Sequence, residues 1–233
     1  MVDRERMDKV KANFSGGSAD YDDRIVKIIP RYDEMLHVLA SCIPSGDGRQ
    51  RRVIDIGCGT GGLSAKLLAT HPDVELTCLD MTKEMLDLAK ERLGGYPNVR
   101  YILSDFHDFE FDGPYDHAIT SLALHHAVTD DDKKAIYRKI FDALGKGGSF
   151  YNADLVLGSD DEQQELYMRR WTEFARQGLT EDEVQNVMIP RFREEDSPAK
   201  LTDHLRWLGE VGFSSTDVIW KWYNFAVYCG RKQ

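Results

Sequence analysis

Four places in the chain carry residue types and spacings suited to chemistry. The first is the run Val-Ile-Asp-Ile-Gly-Cys-Gly-Thr-Gly-Gly, Val53 to Gly62. Apolar residues around one acid, Asp55, read as a short buried strand. The glycines follow at once, and Leu63, Leu67 and Leu68 open a helix after them. Glycine admits backbone angles closed to other residues and lets a ligand approach the main chain. The free N–H groups at a helix start then offer donors. Strand, glycine turn and helix in that order read as a nucleotide-binding device built on Gly57, Cys58, Gly59 and Gly61. The second place is Asp80, at the end of the next strand and 19 residues after Gly61, where an acid can bind both ribose hydroxyls. Met81 follows it as an apolar surface for a base. The third is Asp105-Phe106, an acid and a ring closing the third strand. The fourth is Ser121, at the end of the fourth strand, with His125-His126 just beyond. An imidazole there can take a proton from a nucleophile near neutral pH.

Two ligand classes compete for the glycine loop. Gly57, Gly59 and Gly62 satisfy G-x-G-x-x-G, the dinucleotide fingerprint, whereas Gly57, Gly59 and Gly61 satisfy G-x-G-x-G, the loop of S-adenosylmethionine (SAM) enzymes. Asp55 decides between them: a carboxylate two residues before the first glycine repels a pyrophosphate and suits the ammonium end of a bound amino acid. The run Val53 to Gly62 closely resembles motif I of the class I SAM-dependent methyltransferases. That resemblance implies a seven-stranded sheet with the last strand inserted antiparallel and SAM lying across the strand ends. It implies that Asp105 accepts from the adenine amino group and that the next main-chain N–H donates to the ring. It puts Ser121 to Leu124 at motif IV, where the methyl meets its acceptor. Methyl transfer from a sulfonium rests mostly on in-line approach in a dry, oriented site, so His125 and His126 are candidates for either base or positioning roles. Metal ligation is not expected, because no carboxylate or third His lies at a typical spacing.

Phe14, Ala19, Tyr21 and Asp22 resemble the F-x-x-x-A-x-x-Y-D cap of small-molecule methyltransferases, with a slightly longer step from Phe14 to Ala19. The resemblance implies that Tyr21 covers the methionine moiety of the cofactor. Ile29-Pro30-Arg31-Tyr32, Asn186-Val187-Met188 and Trp222-Tyr223-Asn224-Phe225 also resemble the carboxy-SAM synthases, which modify SAM itself and do not methylate. That family reads its added carboxylate with an arginine before the last strands; here Trp207 stands in its place, beside Arg206.

The elements that must position these residues follow from periodicity. Residues 1–50 read as a helical cap, broken at Phe14 to Ala19, with Pro30 either dividing it or beginning its second helix. Ser45 to Arg52 reads as a polar linker. Strands at Val53–Ile56, Val74–Leu79, Val99–Leu103, within His117–Leu124 and at Ser149–Leu155 alternate with helices, which implies a parallel sheet covered on both faces. The segment 156–200 breaks the rhythm as a helical insert. Ser159-x-x-Glu162 and Thr180-x-x-Glu183 read as capping boxes, Tyr167, Trp171 and Phe174 share a face, and Ser197-Pro198 reads as a third helix start. Two closing strands follow Gly212. The fold class is α/β: a Rossmann-like seven-stranded mixed sheet, helices on both faces, an N-terminal helical cap and a helical insert after the fifth strand. The expected organisation is one domain over 1–233, with a cap (1–50), a cofactor-binding core (51–155), the insert (156–200) and a closing helix and strand pair (201–233).

The totals bound the partners. A length of 233 residues suits one domain. Net charge of −10 argues against a broad phosphate-binding face. Four scattered cysteines with no C-x-x-C pair favour reduced thiols in a cytoplasm. No apolar run reaches membrane-spanning length, and the charged start of the sequence gives the expectation of no signal peptide. The expectation is a SAM-dependent methyltransferase for a small molecule, with no nucleic-acid or membrane partner and a homodimer admitted. A carboxy-SAM synthase-like enzyme and a SAM-binding regulator are the alternatives; an NAD oxidoreductase is disfavoured by Asp55 and Asp105.

Overall fold

A computed structural model describes residues 4–18, 20–44 and 48–233. Three helices lead: α1 (Arg4–Gly17), α2 (Tyr21–Ile28) and α3 (Tyr32–Ser41). The alternating run is β1 (Arg52–Ile56), α4 (Gly62–Thr70), β2 (Glu75–Asp80), α5 (Lys83–Leu93), β3 (Val99–Leu103), β4 (Tyr115–Ser121), α6 (Asp130–Ala143) and β5 (Leu144–Leu155). A 3₁₀ turn, Leu124–His126, follows β4. After β5 come α7 (Asp161–Ala175), α8 (Glu181–Glu183), a π turn (Val184–Met188) and α9 (Ile189–Glu195). The helix α10 (Leu201–Val211), β6 (Ser215–Trp222) and β7 (Phe225–Arg231) close the chain. No helix among the described residues is long and apolar enough to cross a membrane.

The seven strands form one sheet in the order β3-β2-β1-β4-β5-β7-β6. Neighbours from β1 to β5 pair parallel, while β7 runs antiparallel between β5 and β6. The chain winds outward from β1 to β3 and then returns to set β4 on the other side of β1. That reversal opens a crevice at the carboxyl ends of the central strands. Alternate strand residues serve opposite faces. Val53 joins the cluster under α3, α4, α5 and α7, while Ile54 and Ile56 join the one under α6 and α10.

Local expectations fail where tertiary contacts outweigh them. The break expected at 14–19 is displaced: α1 stays helical through Ser15, Gly16 and Gly17. Phe14 is held against Tyr21 and His126, and Ser15 donates to Glu84. Ala19 and positions 45–47 of the linker lie outside the described residues. Pro30 does divide the cap, with Arg31 in the left-handed region at φ 54°. The Thr180–Glu183 capping box forms. The Ser159 box does not, because Asp160 caps α7 instead, accepting from Gln163 N. Ser197-Pro198 starts no helix. Ser197 N donates to the His125 carbonyl at 2.8 Å, Leu157 N donates to the Ala199 carbonyl, and Lys200 bridges Leu157. The segment is thereby held extended against β5, and α10 begins only at Leu201. Pro190 is the second residue of α9, which continues directly from the π turn with Met188 and Ile189 in helical conformation.

Candidate functional site

The glycine loop folds as a tight turn at the end of β1. Gly57, Gly59 and Gly61 take φ of 68°, 54° and 80°, a region where a Cβ is strained. Gly57 has no room either, since a Cβ there would lie 2.5 Å from the Ala123 side chain. Gly57 N and Cys58 N both donate to the Leu79 carbonyl, tying the loop to the end of β2. Asp80 completes the tie: its Oδ2 accepts from Gly59 N at 2.9 Å, and its Oδ1 accepts from the Thr82 N–H and hydroxyl at 2.8 and 2.5 Å. Thr82 thus occupies the α5 N-cap position while giving its hydroxyl to Asp80. The cap is clamped to the loop as well. Asp22 accepts from Thr60 at 2.7 Å and is paired with Arg92, which also donates to Thr60.

Asp55 lies fully buried beneath this loop. Ser64 donates to its Oδ2 at 2.6 Å, and Oδ1 has no partner. Burial pushes its carboxyl up to about 7, with Ser64 opposing. A cleft of about 60 Å³ opens above the loop, lined by Tyr21, Gly57, Cys58, Gly59, Asp80, Met81, Phe106 and Ser121 among the expected residues. Three of the expected residues do not line it. Asp55 sits below it, Gly61 packs on Ala89 and Leu93, and Asp105 turns to His107, accepting from its N and contacting its Nδ1, both at 2.8 Å. Burial works against the Asp105 carboxylate, but these His107 contacts outweigh it and hold the group below its ordinary range.

A second cavity of about 400 Å³ lies alongside and shares Phe14, Tyr21, Leu122 and His126 with the cleft. Its wall is largely apolar, from Ile25, Ile28, Trp171, Met188, Phe192 and Phe225, with Arg24, Arg191, His125, Glu195 and Asp196 as charged or polar groups. Leu122 stands at φ 51° between the two, an unfavourable backbone held by its N–H bond to the Ala153 carbonyl. Of the insert aromatics, Trp171 and Met188 line the cavity. Tyr167 and Phe174 do not; they pack on Tyr223 and Trp222 of the closing hairpin. Trp207 is buried in the core under α10 and lines neither space, and Arg206 pairs on the surface with Asp203.

The two histidines are not equivalent. His125 Nδ1 lies 2.5 Å from Asp154 Oδ1, at the end of β5, and both groups are buried. Burial opposes a charge on His125, but Asp154 and Asp196 outweigh it and raise its pKa. His126 is brought down to about 3 by burial and by His125, and is neutral. Behind Asp154 runs a buried chain of polar groups: Asn152 bridges Asp154 and the Tyr228 hydroxyl, which meets Tyr137, which meets His204. Asp196 arrives from the insert, 3.5 Å from His125 Nε2 and from His126 Nδ1. This corrects the expectation that the histidines have no carboxylate at ligand spacing. The missed residues Asp154 and Asp196 come from distant positions. Only the placing of Asp154 at the end of a central strand was a signal that sequence could have offered.

Residues 53–148 match the family described as Methyltransferase domain. The carboxy-S-adenosyl-L-methionine synthase of Helicobacter pylori (strain G27) is 26% identical over 228 residues, covering 91% of this chain and 90% of that protein. The malonyl-[acyl-carrier protein] O-methyltransferase 1 of Ilyobacter polytropus is 29% identical over 148 residues, covering 64% of this chain and 51% of that one. Among solved structures, the DhpI–SAM–HEP complex superposes with a TM-score of 0.68 at 20% identity, over 97% of both chains.

Proposed function

We propose that this chain, which belongs to the class I SAM-dependent methyltransferases, is an enzyme that moves the sulfonium methyl of SAM to a small-molecule acceptor held in the larger cavity. The observation that carries the reading is the junction of the two spaces at Phe14, Tyr21, Leu122 and His126. A donor in the cleft and an acceptor in the cavity would meet there, shielded from water. The residues fit the cofactor. The loop main chain at Gly57 and Gly59 is open to close approach, Asp80 stands at the ribose position, Met81 and Phe106 offer apolar surfaces for adenine, and Asp55, buried beneath the loop with Oδ1 unbonded, acts on an ammonium above it through its charge. Gly61 and Cys58 shape the loop, and Ser121 and Tyr21 flank the methionine end. Both His107 contacts of Asp105 fall on Oδ1, so the adenine contact assigned to it would fall to Oδ2.

When bound, the cofactor supplies an electrophilic methyl group on a sulfonium centre. The chain's own part is to orient the acceptor, exclude water and take up a proton where the acceptor carries one. In the metal-free chain His125, braced by Asp154, is the group placed for that proton, while His126, held down to about 3, positions and does not take it up. The small acceptor is supported by the mostly apolar wall of the cavity and its volume, within the usual range for small-molecule sites. All four cysteines are unpaired, which supports a reducing, cytoplasmic setting.

A second reading has its own support: the likeness to a carboxy-SAM synthase extends over nine-tenths of both chains. Against it, no arginine of α10 reaches either space; Trp207 is buried at the expected place. Native mass spectrometry of the co-purifying ligand separates the two. SAM or its demethylated product, S-adenosylhomocysteine (SAH), supports methyl transfer, and a cofactor heavier by a carboxyl group supports the synthase. Calorimetry with SAH then tests the site. Asp80→Ala is expected to weaken binding by about 1.5–3 kcal/mol, as for a hydrogen bond to a charged group. Unchanged affinity would remove Asp80 from the site.

A further inference from the structure

We propose that His125, His126 and Asp196 bind one divalent cation of the zinc class in the wall of the larger cavity. Their ligating atoms lie within 4.8 Å of one another. Asp196 Oδ1 is 3.5 Å from both His125 Nε2 and His126 Nδ1. That is too long for a good hydrogen bond. It matches the roughly 3.4 Å edge of a tetrahedron whose ligands sit ~2.1 Å from a zinc ion.

The histidines are prepared in the manner of metal ligands. His125 Nδ1 faces the Asp154 carboxylate at 2.5 Å, and Asp154 is itself fixed by Leu155 N at 2.9 Å and Asn152 Nδ2 at 3.2 Å. With its proton held on Nδ1, His125 turns the lone pair of Nε2 toward Asp196. A carboxylate behind a histidine in this way fixes its tautomer and strengthens it as a ligand. His126 is 6% exposed and its Nε2 has no partner; its Nδ1 donates to the Glu195 carbonyl at 3.3 Å, a long bond that it gives up, moving its proton to Nε2, to ligate through Nδ1. A buried imidazole so poorly satisfied is unusual among buried polar groups. The acids Asp154, Glu195 and Asp196 around the histidines are matched by the cations Arg6, Lys133 and Arg191.

Two imidazoles and one carboxylate select a borderline first-row ion over magnesium or calcium, which prefer all-oxygen shells. His125, His126 and Asp196 all line the cavity, so the remaining coordination positions open onto it. An acceptor with a hydroxyl or carboxylate oxygen would fill them. This last step rests on reading the cavity as the acceptor site; the cation site does not.

The test uses the full chain, stripped with chelator and desalted, then titrated with Zn²⁺ by equilibrium dialysis with elemental analysis. Co²⁺ absorption reports the geometry. One Zn²⁺ per chain is expected, with Co²⁺ bands of four- or five-coordinate intensity. Asp196→Ala and His125→Ala should each weaken Zn²⁺ by at least tenfold, and Asp154→Asn by about 10–100-fold. His37→Ala, on α3 and outside both spaces, should bind as wild type. SAH binding is measured in every variant as a check on folding, because Asp196 and Asp154 do not line the cofactor cleft. Zinc lost with SAH retained supports the site. Zinc unaffected by Asp196→Ala, or a wild-type chain that takes up none at tens of micromolar, overturns it. Zinc bound by a chain that binds no SAH would leave the metal site standing and sink the methyltransferase reading.

Discussion

At the scale of single residues, Asp55 makes the sharpest statement about the ligand. Its carboxyl is buried under the glycine loop with one oxygen unbonded and a pKa near 7. Because the folded value lies above the unfolded one, ionised Asp55 opposes folding, and its contribution to stability is lost as pH rises through about 7. A bound ammonium reverses the preference by favouring the charged form. SAH should therefore bind more tightly as pH rises from 6 to 7.5, by at most about tenfold per pH unit for one linked proton. The gain should vanish in Asp55→Asn. Calorimetry across that range checks it; a flat wild-type profile would detach Asp55 from the amino-acid end of the cofactor. Gly57 is constrained by its neighbour Ala123 as much as by its φ, so the sequence motif there records packing as well as ligand approach.

At the scale of elements, α1 forms part of the wall of both spaces. Of its residues only Met7 and Val10 are buried, and Phe14 belongs to the wall of both spaces. Elsewhere the helix is held by the exposed contacts Arg4 to Asp108, Lys9 to Glu194 and Ser15 to Glu84, and by a part-buried bond from Asn13 to Glu195. Exposed pairs of this kind contribute little each, so α1 belongs to the low-stability end of the molecule. With α1 seated the cofactor cleft is only about 60 Å³. Hydrogen exchange should show amides 4–17 opening faster than those of α4 without ligand and gaining protection with SAH. Segment 189–195, which α1 touches, should follow it. Uniform strong protection in both states would refute α1 as a gate. The extended run before α10 shows the opposite balance, since main-chain bonds from Ser197 to His125 and from Leu157 to Ala199 override a strong local helix-start signal.

At the scale of the whole molecule, the net charge of −10 and a largely apolar cavity of about 400 Å³ argue for a small substrate. Bulk tRNA should show no salt-sensitive binding at about micromolar protein, measured by anisotropy at two ionic strengths; tight, salt-dependent binding would overturn the small-acceptor reading. Sequence alone determined the strand–turn–helix at 53–62, the β/α alternation, the place of Asp80 and the helical insert. Each rests on a periodicity or a turn stereochemistry that acts over a few residues, and so is written locally. It could not place Asp105 against His107, turn Tyr167 and Phe174 onto the closing hairpin, or stop Ser197-Pro198 from starting a helix. Nor could it gather His125, Asp154 and Asp196. Those three meet because β4 and β5 are neighbours in the sheet and because Ser197 N bonds to the His125 carbonyl, drawing the end of the insert onto the 3₁₀ turn. Contacts between residues far apart in the chain depend on which strands pair and which segment is drawn across them, and only the folded molecule decides that.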